Sequence, residues 1–246
     1  MPEAADRDRL RVVLVRTRNP LNIGAIARVM SNFGFLNLKL VQPFEASFRE
    51  ARSAVGAVEL LENAEVFDSV AEAIGDCSMV VGASAIRDRE IHQPVETLPR
   101  VGEIVRGALA RERVAVLFGS EKTGLSTEDL DHCNLLLRIP TREEHVSLNL
   151  AQAVAVTLYE IAREHAPGRP GDSGELMASA EKLERVTSVL FENLSMSGYV
   201  KGDSTETTEQ KLRRLLKRMK LNDQDAELWL GMLRKMNWKL KHGNNG

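Results

Sequence analysis

Val114-Ala-Val-Leu-Phe118-Gly119-Ser-Glu121-Lys-Thr-Gly124-Leu125 is the stretch on which the fold turns. Its first five residues are all apolar and read as a buried strand. The strand stops at Gly119, and a second glycine follows at Gly124, with the carboxylate of Glu121 between them. Such a loop brings backbone N–H groups close to a ligand and leaves Glu121 free. The plainer alternative is a strand-to-helix turn that only needs glycine.

Outward from this stretch, strand-like and helix-like runs alternate. Residues 10–15 form a second buried strand, and a polar loop, 16–21, follows it. Residues 23–33 have helical spacing, with Ile23, Ile26, Ala27 and Met30 on one face, and Gly34 stands where a helix C-terminal glycine belongs. Residues 36–41 and 79–82 read as strands, and 48–61, 69–74 and 101–110 as helices. Ser126 with Asp129 three residues on resembles a capping box. Residues 135–139 form a strand stopped by Pro140, and 147–164 a long helix. This alternation predicts an α/β fold, a mostly parallel sheet with helices on both faces. Ligands of such sheets bind beyond the strand C-terminal ends, here the loops after Val15, Val81, Phe118 and Ile139.

The pattern changes at Ala166-Pro-Gly-Arg-Pro-Gly-Asp-Ser-Gly174. Residues 1–165 are expected to be one domain, 166–175 a linker and 176–246 a small all-helical extension. Leu212, Leu215, Leu216 and Met219 form one apolar stripe of the extension, and Trp229, Leu233, Met236 and Leu240 another. About 70 residues are marginal alone, so the extension should pack on the first domain or on a second subunit. Residues 166–246 hold 14 Lys/Arg against 11 Asp/Glu, which leaves 19 against 24 in the rest of the chain. The basic excess peaks in residues 211–220, where six of ten residues are cationic: Lys211, Arg213, Arg214, Lys217, Arg218 and Lys220. Such a run either meets phosphates or is a solvated helix face.

Two cysteines, Cys77 and Cys133, exclude a disulfide scaffold and argue against a cysteine-rich zinc site. Free thiols fit a reducing cytoplasm. The charged N-terminus lacks the apolar stretch of a signal peptide, and no apolar run nears the roughly 20 residues needed to span a bilayer. The expected location is cytoplasmic, with no membrane and no metal; His92 and His132 read as incidental surface residues.

Two more segments fall at the expected sheet edge. Asn22-Ile-Gly24-Ala-Ile-Ala-Arg28 offers Asn22 as a helix cap and Arg28 about two turns in, aimed at a pocket mouth. Ile139-Pro140 leads through a polar loop to Ser147-Leu148-Asn149-Leu-Ala-Gln-Ala-Val154, with Ser147 as N-cap and Asn149 in the first turn. Each segment alone is also explained by ordinary capping. The dinucleotide fingerprint G-x-G-x-x-G is absent.

Together, in this order and at matching edges of one domain, the segments N-x-G-x-x-x-R, L-F-G-S-E-x-x-G-L and I-P followed by S-L-N-L-A resemble the three motifs of the SPOUT superfamily of RNA methyltransferases. They look like its TrmH branch and, with the helical extension, most like the TrmJ group of tRNA ribose methyltransferases. The resemblance covers about residues 10–165; the extension matches only in size and helical character.

The resemblance implies a C-terminal trefoil knot, S-adenosylmethionine as cofactor, and a homodimer whose active sites lie near the subunit interface. It implies cofactor contacts at Ala83, Ser84, Ala85, Gly119, Ile139, Ser147, Leu148 and Asn149. Catalytic roles pass to Arg28, Asn22, Glu121, Ser147 and Asn149, and tRNA contacts are expected from Lys211, Arg213, Arg214, Lys217 and Arg218. Trp229 and Trp238 are expected in the bundle core or a dimer contact rather than on bases. The expected reaction is 2'-O-methylation of tRNA, at the cytidine or uridine at position 32 that opens the anticodon loop. The alternatives are another tRNA position, a ribosomal RNA, or a catalytically silent RNA-binding protein on the same scaffold.

Overall fold

The computed structural model describes residues 4–44, 58–85, 91–142, 144, 147–163, 176–200 and 205–242. Strands β1 (Leu10–Val15), β2 (Leu38–Val41), β3 (Glu65–Phe67), β4 (Met79–Ala83), β5 (Val95–Thr97), β6 (Val114–Phe118) and β7 (Leu135–Arg138) form one sheet in the order β3-β2-β1-β6-β4-β7-β5. Every pair is parallel, with Leu14 opposite Phe118 and Ala83 opposite both Phe118 and Leu137. The ends of the four central strands, β1, β6, β4 and β7, therefore stand side by side.

The central strands β1, β6, β4 and β7 are mostly apolar because both faces are covered. Val12 and Leu14 of β1 face one core with Val116 and Phe118 of β6, under helices α2 (Pro20–Phe33), α3 (Val58–Glu62), α5 (Leu98–Leu109) and α7 (Leu150–Ala162). Val13 and Val15 face the other with Ala115 and Leu117, under α4 (Val70–Ala73) and α6 (Thr127–Asp131). A short α1 (Ala4–Arg7) precedes β1. Gly34 closes α2 in the left-handed conformation at φ 73°, and Ser126 with Asp129 forms the expected capping box on α6. The strands β3 and β5 were not foreseen: each is three residues long, mostly exposed, and carries no apolar run. Most of the helix expected at 48–61 lies outside the described residues; Val58–Glu62 is helical.

The linker expected at 166–175 also lies outside the described residues. Beyond it, α8 (Ala180–Met196), α9 (Thr205–Met219) and α10 (Asp223–His242) surround a third core of Leu183, Val186, Leu216, Leu221, Ala226, Leu230 and Leu233. The start of α8 is tied to the sheet domain, since the N–H of Ala180 donates to the Cys77 carbonyl at 2.6 Å and that of Glu181 to the Gly75 carbonyl at 3.2 Å. The apolar stripe of α10 is not the expected one. Ala226, Leu230, Leu233 and Asn237 face the core, while Met236 and Leu240 are exposed and Trp229 is half-buried. Two stripes share Leu233 on this helix, and Asn193 of α8 donates to the Leu233 carbonyl at 2.8 Å.

Candidate active site

Pro20 is the first residue of α2, where its fixed φ suits a helix start, and Asn19 caps it by accepting from the N–H of Leu21 at 2.9 Å. The cap expected at Asn22 is thus displaced by one turn. Asn22 is instead buried, at 6% exposure, and links the three motif segments. Its Nδ2 donates to Glu121 Oε1 at 2.9 Å, and its Oδ1 accepts from Asn149 Nδ2 at 3.0 Å. Asn149 in turn caps α7, accepting from the N–H groups of Ala151 and Gln152 at 2.9 and 3.3 Å. That role had been expected of Ser147, which stands exposed in front of the helix.

Glu121 accepts two further bonds, from the N–H groups of Arg18 at 3.2 Å and Asn19 at 3.1 Å. Its burial would raise the carboxyl, but the hydrogen bonds from Asn22 and the backbone outweigh that and hold it below its usual 4.5. Glu121 is therefore a carboxylate spent on shaping a loop, rather than a free base. The loop after β6 folds back so tightly that a Cβ on Gly119 would run into the backbone of Gly124 and Leu125. Gly124 itself has φ 68°, and its N–H donates to the Ser120 carbonyl at 2.8 Å. Gly119 is required because a side chain would strike backbone, while Gly124 suits a left-handed φ that strains other residues.

These turns enclose a cavity of about 910 Å³ at the C-terminal edge of β1, β6, β4 and β7. Asn22, Ala83, Ser84, Ala85, Gly119, Glu121, Ile139, Ser147, Leu148 and Asn149 all line it. Phe118, Leu125, Leu137 and Leu150 add an apolar part, against which Ser120, Lys122, Thr123 and Thr141 are polar. Arg18 and Asn19 also line it; sequence reasoning passed over them as residues of an unmarked polar loop.

Arg28 does not line this cavity. It is exposed, on a stripe of α2 with Leu21, Ala25 and Asn32. Six residues beyond Asn22, it lies about 9 Å along the axis and roughly 240° around it. That rotation turns it away from the pocket mouth it was expected to reach. Alongside, α7 exposes Gln152, Val156 and Tyr159, and the Tyr159 ring meets Phe33 of α2 edge-on at 6.3 Å. Leu21 and Tyr159 are 76% and 57% exposed, so this paired-helix surface is partly apolar around Arg28.

The basic run on α9 is also not displayed as expected. Arg214 pairs with buried Asp131 of α6 at 2.6 Å, and Arg213 pairs with Glu184 of α8 at 2.8 Å. Lys217 is buried, with its Nζ unpartnered among the described residues. These three flank buried Leu216 and so face the body of the protein; Lys211 and Arg218 remain exposed. His132 belongs to the same junction and is not a surface residue. It is buried, with Nδ1 3.7 Å from Glu184 Oε1, and burial lowers its pKa against the pull of Glu184. Cys77 and Cys133 are buried thiols pushed up to about 12 by burial, so neither is poised as a thiolate nucleophile.

A parallel sheet whose strand ends border an open cavity, framed by a glycine turn and two helix N-termini, defines an α/β protein with room for a nucleoside-sized ligand at its sheet edge. Residues 9–159 match the SpoU rRNA Methylase family, and the chain belongs to that family. A tRNA (cytidine/uridine-2'-O-)-methyltransferase TrmJ of Sodalis glossinidius is 35% identical over 229 residues, covering 91% of this chain and 89% of that protein. A tRNA (cytidine/uridine/adenosine-2'-O-)-methyltransferase TrmJ of Pseudomonas aeruginosa is 36% identical over 240 residues, covering 92% and 93%. The crystal structure of TrmJ from Z. mobilis ZM4 superimposes with a TM-score of 0.79 at 32% identity, covering 92% of this chain and 98% of that one. The family resemblance read from the three motifs is borne out.

Proposed function

We propose that this protein is an S-adenosylmethionine-dependent tRNA 2'-O-methyltransferase acting on the cytidine or uridine at position 32. One observation carries the reading: the Glu121–Asn22–Asn149 hydrogen bonds gather all three motif segments around a single cavity. The names of the relatives support the tRNA ribose as substrate.

The lining fits the methyl donor. Its apolar part suits an adenine ring, and the close turn at Gly119 and the end of β4 at Ala83–Ala85 offer backbone groups to the polar parts of the molecule. Ile139, Ser147, Leu148 and Asn149 close the other side. When bound, the cofactor supplies an electrophilic methyl on a sulfonium sulfur. The residues of the chain then have to bring a ribose 2'-oxygen to about 3–3.5 Å from that methyl, in line with the sulfur. Asn22 and Glu121 hold the 18–22 loop at one wall, and Ser147 and Asn149 order the nucleotide at the other.

Arg28 is assigned to the substrate. A guanidinium does not deprotonate in proteins, so it holds a phosphate by two hydrogen bonds and stabilises the developing alkoxide. A phosphate oxygen then takes the hydroxyl proton. Arg28 is exposed on a partly apolar surface off the cavity of its own chain, which supports a homodimer in which a second copy covers that surface and Arg28 of the partner subunit serves each site. The trefoil knot belongs to the same proposal; β6 entering between β1 and β4, and β7 between β4 and β5, supports it. So does the division into a catalytic domain of residues 1–165, a linker and a helical extension. No helix among the described residues is long and apolar enough to cross a membrane, and a tRNA substrate accords with a cytoplasmic location.

The test is to incubate the protein with methyl-labelled S-adenosylmethionine and unmodified tRNA. Label should appear in alkali-resistant dinucleotides, and mass spectrometry should locate it at position 32. Label at another position, or only in ribosomal RNA, would move the substrate assignment. Cofactor binding without transfer to any RNA would leave a silent RNA-binding protein.

A further inference from the structure

The helix α10 has three faces. Ala226, Leu230, Leu233 and Asn237 turn to the core of the helical unit. Trp229, Met232, Met236 and Leu240 form an apolar flank. The third face carries Arg234, Lys235, Trp238, Lys239 and His242, all exposed. No Asp or Glu occurs from Leu228 to His242. Trp238 is 53% exposed, with Lys235 Nζ 4.9 Å from its ring centroid and the His242 ring stacked at 4.9 Å and 21°. Lys241 pairs with Glu192 at 2.7 Å. Arg234, Lys235 and Lys239 have no carboxylate partner among the described residues.

Two ordinary explanations cover part of this face. Cations in a last turn offset the helix dipole, which accounts for Lys239, Lys241 and His242 but not for Arg234 and Lys235 further back. A solvated face accounts for the cations, and it gives no role to the half-open indole that lies among them with Lys235 over its ring. We propose that this face grips the RNA substrate. Arg234, Lys235 and Lys239 meet backbone phosphates, and Trp238 is a stacking platform for an unpaired base. Lys235 swings from the ring to a phosphate as the base arrives. The proposal rests on the RNA-methyltransferase reading above and replaces the inward-facing cations of α9 as the main contact. A membrane surface fits less well, because the tryptophan on the apolar flank, Trp229, is packed against the core of the helical unit and is not offered to a bilayer. Trp238 lies inside the basic face.

The test uses the full chain and an unmodified tRNA transcript, with binding followed by fluorescence anisotropy over a salt series and cofactor affinity followed by calorimetry. Trp238→Ala should weaken tRNA binding roughly 5- to 150-fold, the range measured for one stacked base. Trp238→Phe should keep most of the affinity. The double variant Lys235→Gln/Lys239→Gln should flatten the slope of log affinity against log salt by about 1.4 to 1.8, two phosphates' worth. Cofactor affinity should stay at the wild-type value in all three. Variants that bind like wild type a tRNA that wild type methylates would remove this surface and leave the enzyme reading standing. Capture of anionic phospholipid vesicles that the variants lose, with tRNA affinity unmoved, would overturn the proposal in favour of a membrane. If the wild-type protein binds no tRNA at all, the enzyme reading falls and takes this proposal with it.

Discussion

Glu121→Ala tests the hydrogen bonds that hold the cavity together. The substitution removes an acceptor shared by three donors. Two of them, the N–H groups of Arg18 and Asn19, belong to exposed residues, where water can take the place of the carboxylate at little cost. The third, Nδ2 of Asn22, sits on a residue at 6% exposure. A buried donor left unpaired costs about 1–3 kcal/mol, so that figure is the expected loss, not the sum of three charged hydrogen bonds. For a chain of this size each kcal/mol lowers Tm by about 2–4 °C, which gives a fall of about 2–12 °C by calorimetry at pH 7. The pH dependence has a definite sign. The folded-state carboxyl is held below its usual value, so its contribution is full above the unfolded value of 4.5 and is lost as pH falls through the folded value. The gap between wild type and Glu121→Ala should therefore stay constant from about pH 7 to 5 and close in stronger acid. Glu121→Gln keeps one acceptor for Asn22 and should retain most of the stability. A Tm within about 1 °C of wild type for the alanine variant at pH 7, with cofactor affinity intact, would show that the three segments hold together without this carboxylate.

Gly119→Ala should abolish measurable cofactor binding and cost about 1–3 kcal/mol in denaturant unfolding, because its Cβ meets backbone that cannot move aside; wild-type cofactor affinity would contradict that. Arg28→Ala should bind S-adenosylmethionine normally in calorimetry, since Arg28 is off the cavity of its own chain, yet lose methyl transfer; unchanged turnover would end its assigned role. Lys217→Met should raise thermal stability. Burial lowers the Lys217 pKa, so the charged form is penalised in the fold. The gain should be full below the folded-state value and fade as pH rises toward the unfolded 10.5. A stability loss at neutral pH would mean that the ammonium has a partner that matters.

What was legible in the sequence follows from where each element's stability comes from. β1, β4, β6 and β7 are buried on both faces along most of their length, so apolar runs of three or more residues mark them. The two edge strands owe their structure to hydrogen bonds from a neighbour, β3 to β2 and β5 to β7, and composition does not record a neighbour. The basic run of α9 was misread for a related reason. A cation count gives no direction, and Arg213, Arg214 and Lys217 turn inward because Glu184 and Asp131 lie there, the latter 83 residues away from Arg214. On α10 the spacing allowed two apolar stripes that share Leu233, and spacing alone does not say which packs against Leu183, Val186 and Leu216.

The site adds a sharper version of the same point. Each of its three segments is, taken alone, ordinary local structure: a glycine turn, a proline-led helix start, an asparagine cap. What makes them one site is a pair of side-chain bonds spanning 99 and 127 residues. Asn22 is the shared member, and its amide can satisfy both only with Oδ1 toward Asn149 and Nδ2 toward Glu121. The arrangement cannot form from any two segments. It requires β1, β6 and the start of α7 to be seated together, so the cavity comes into being only with the completed sheet edge. Arg28 stands outside this mutual constraint. Its position is set by α2 alone, on a partly apolar surface that the described residues leave uncovered and that the proposed second subunit would cover.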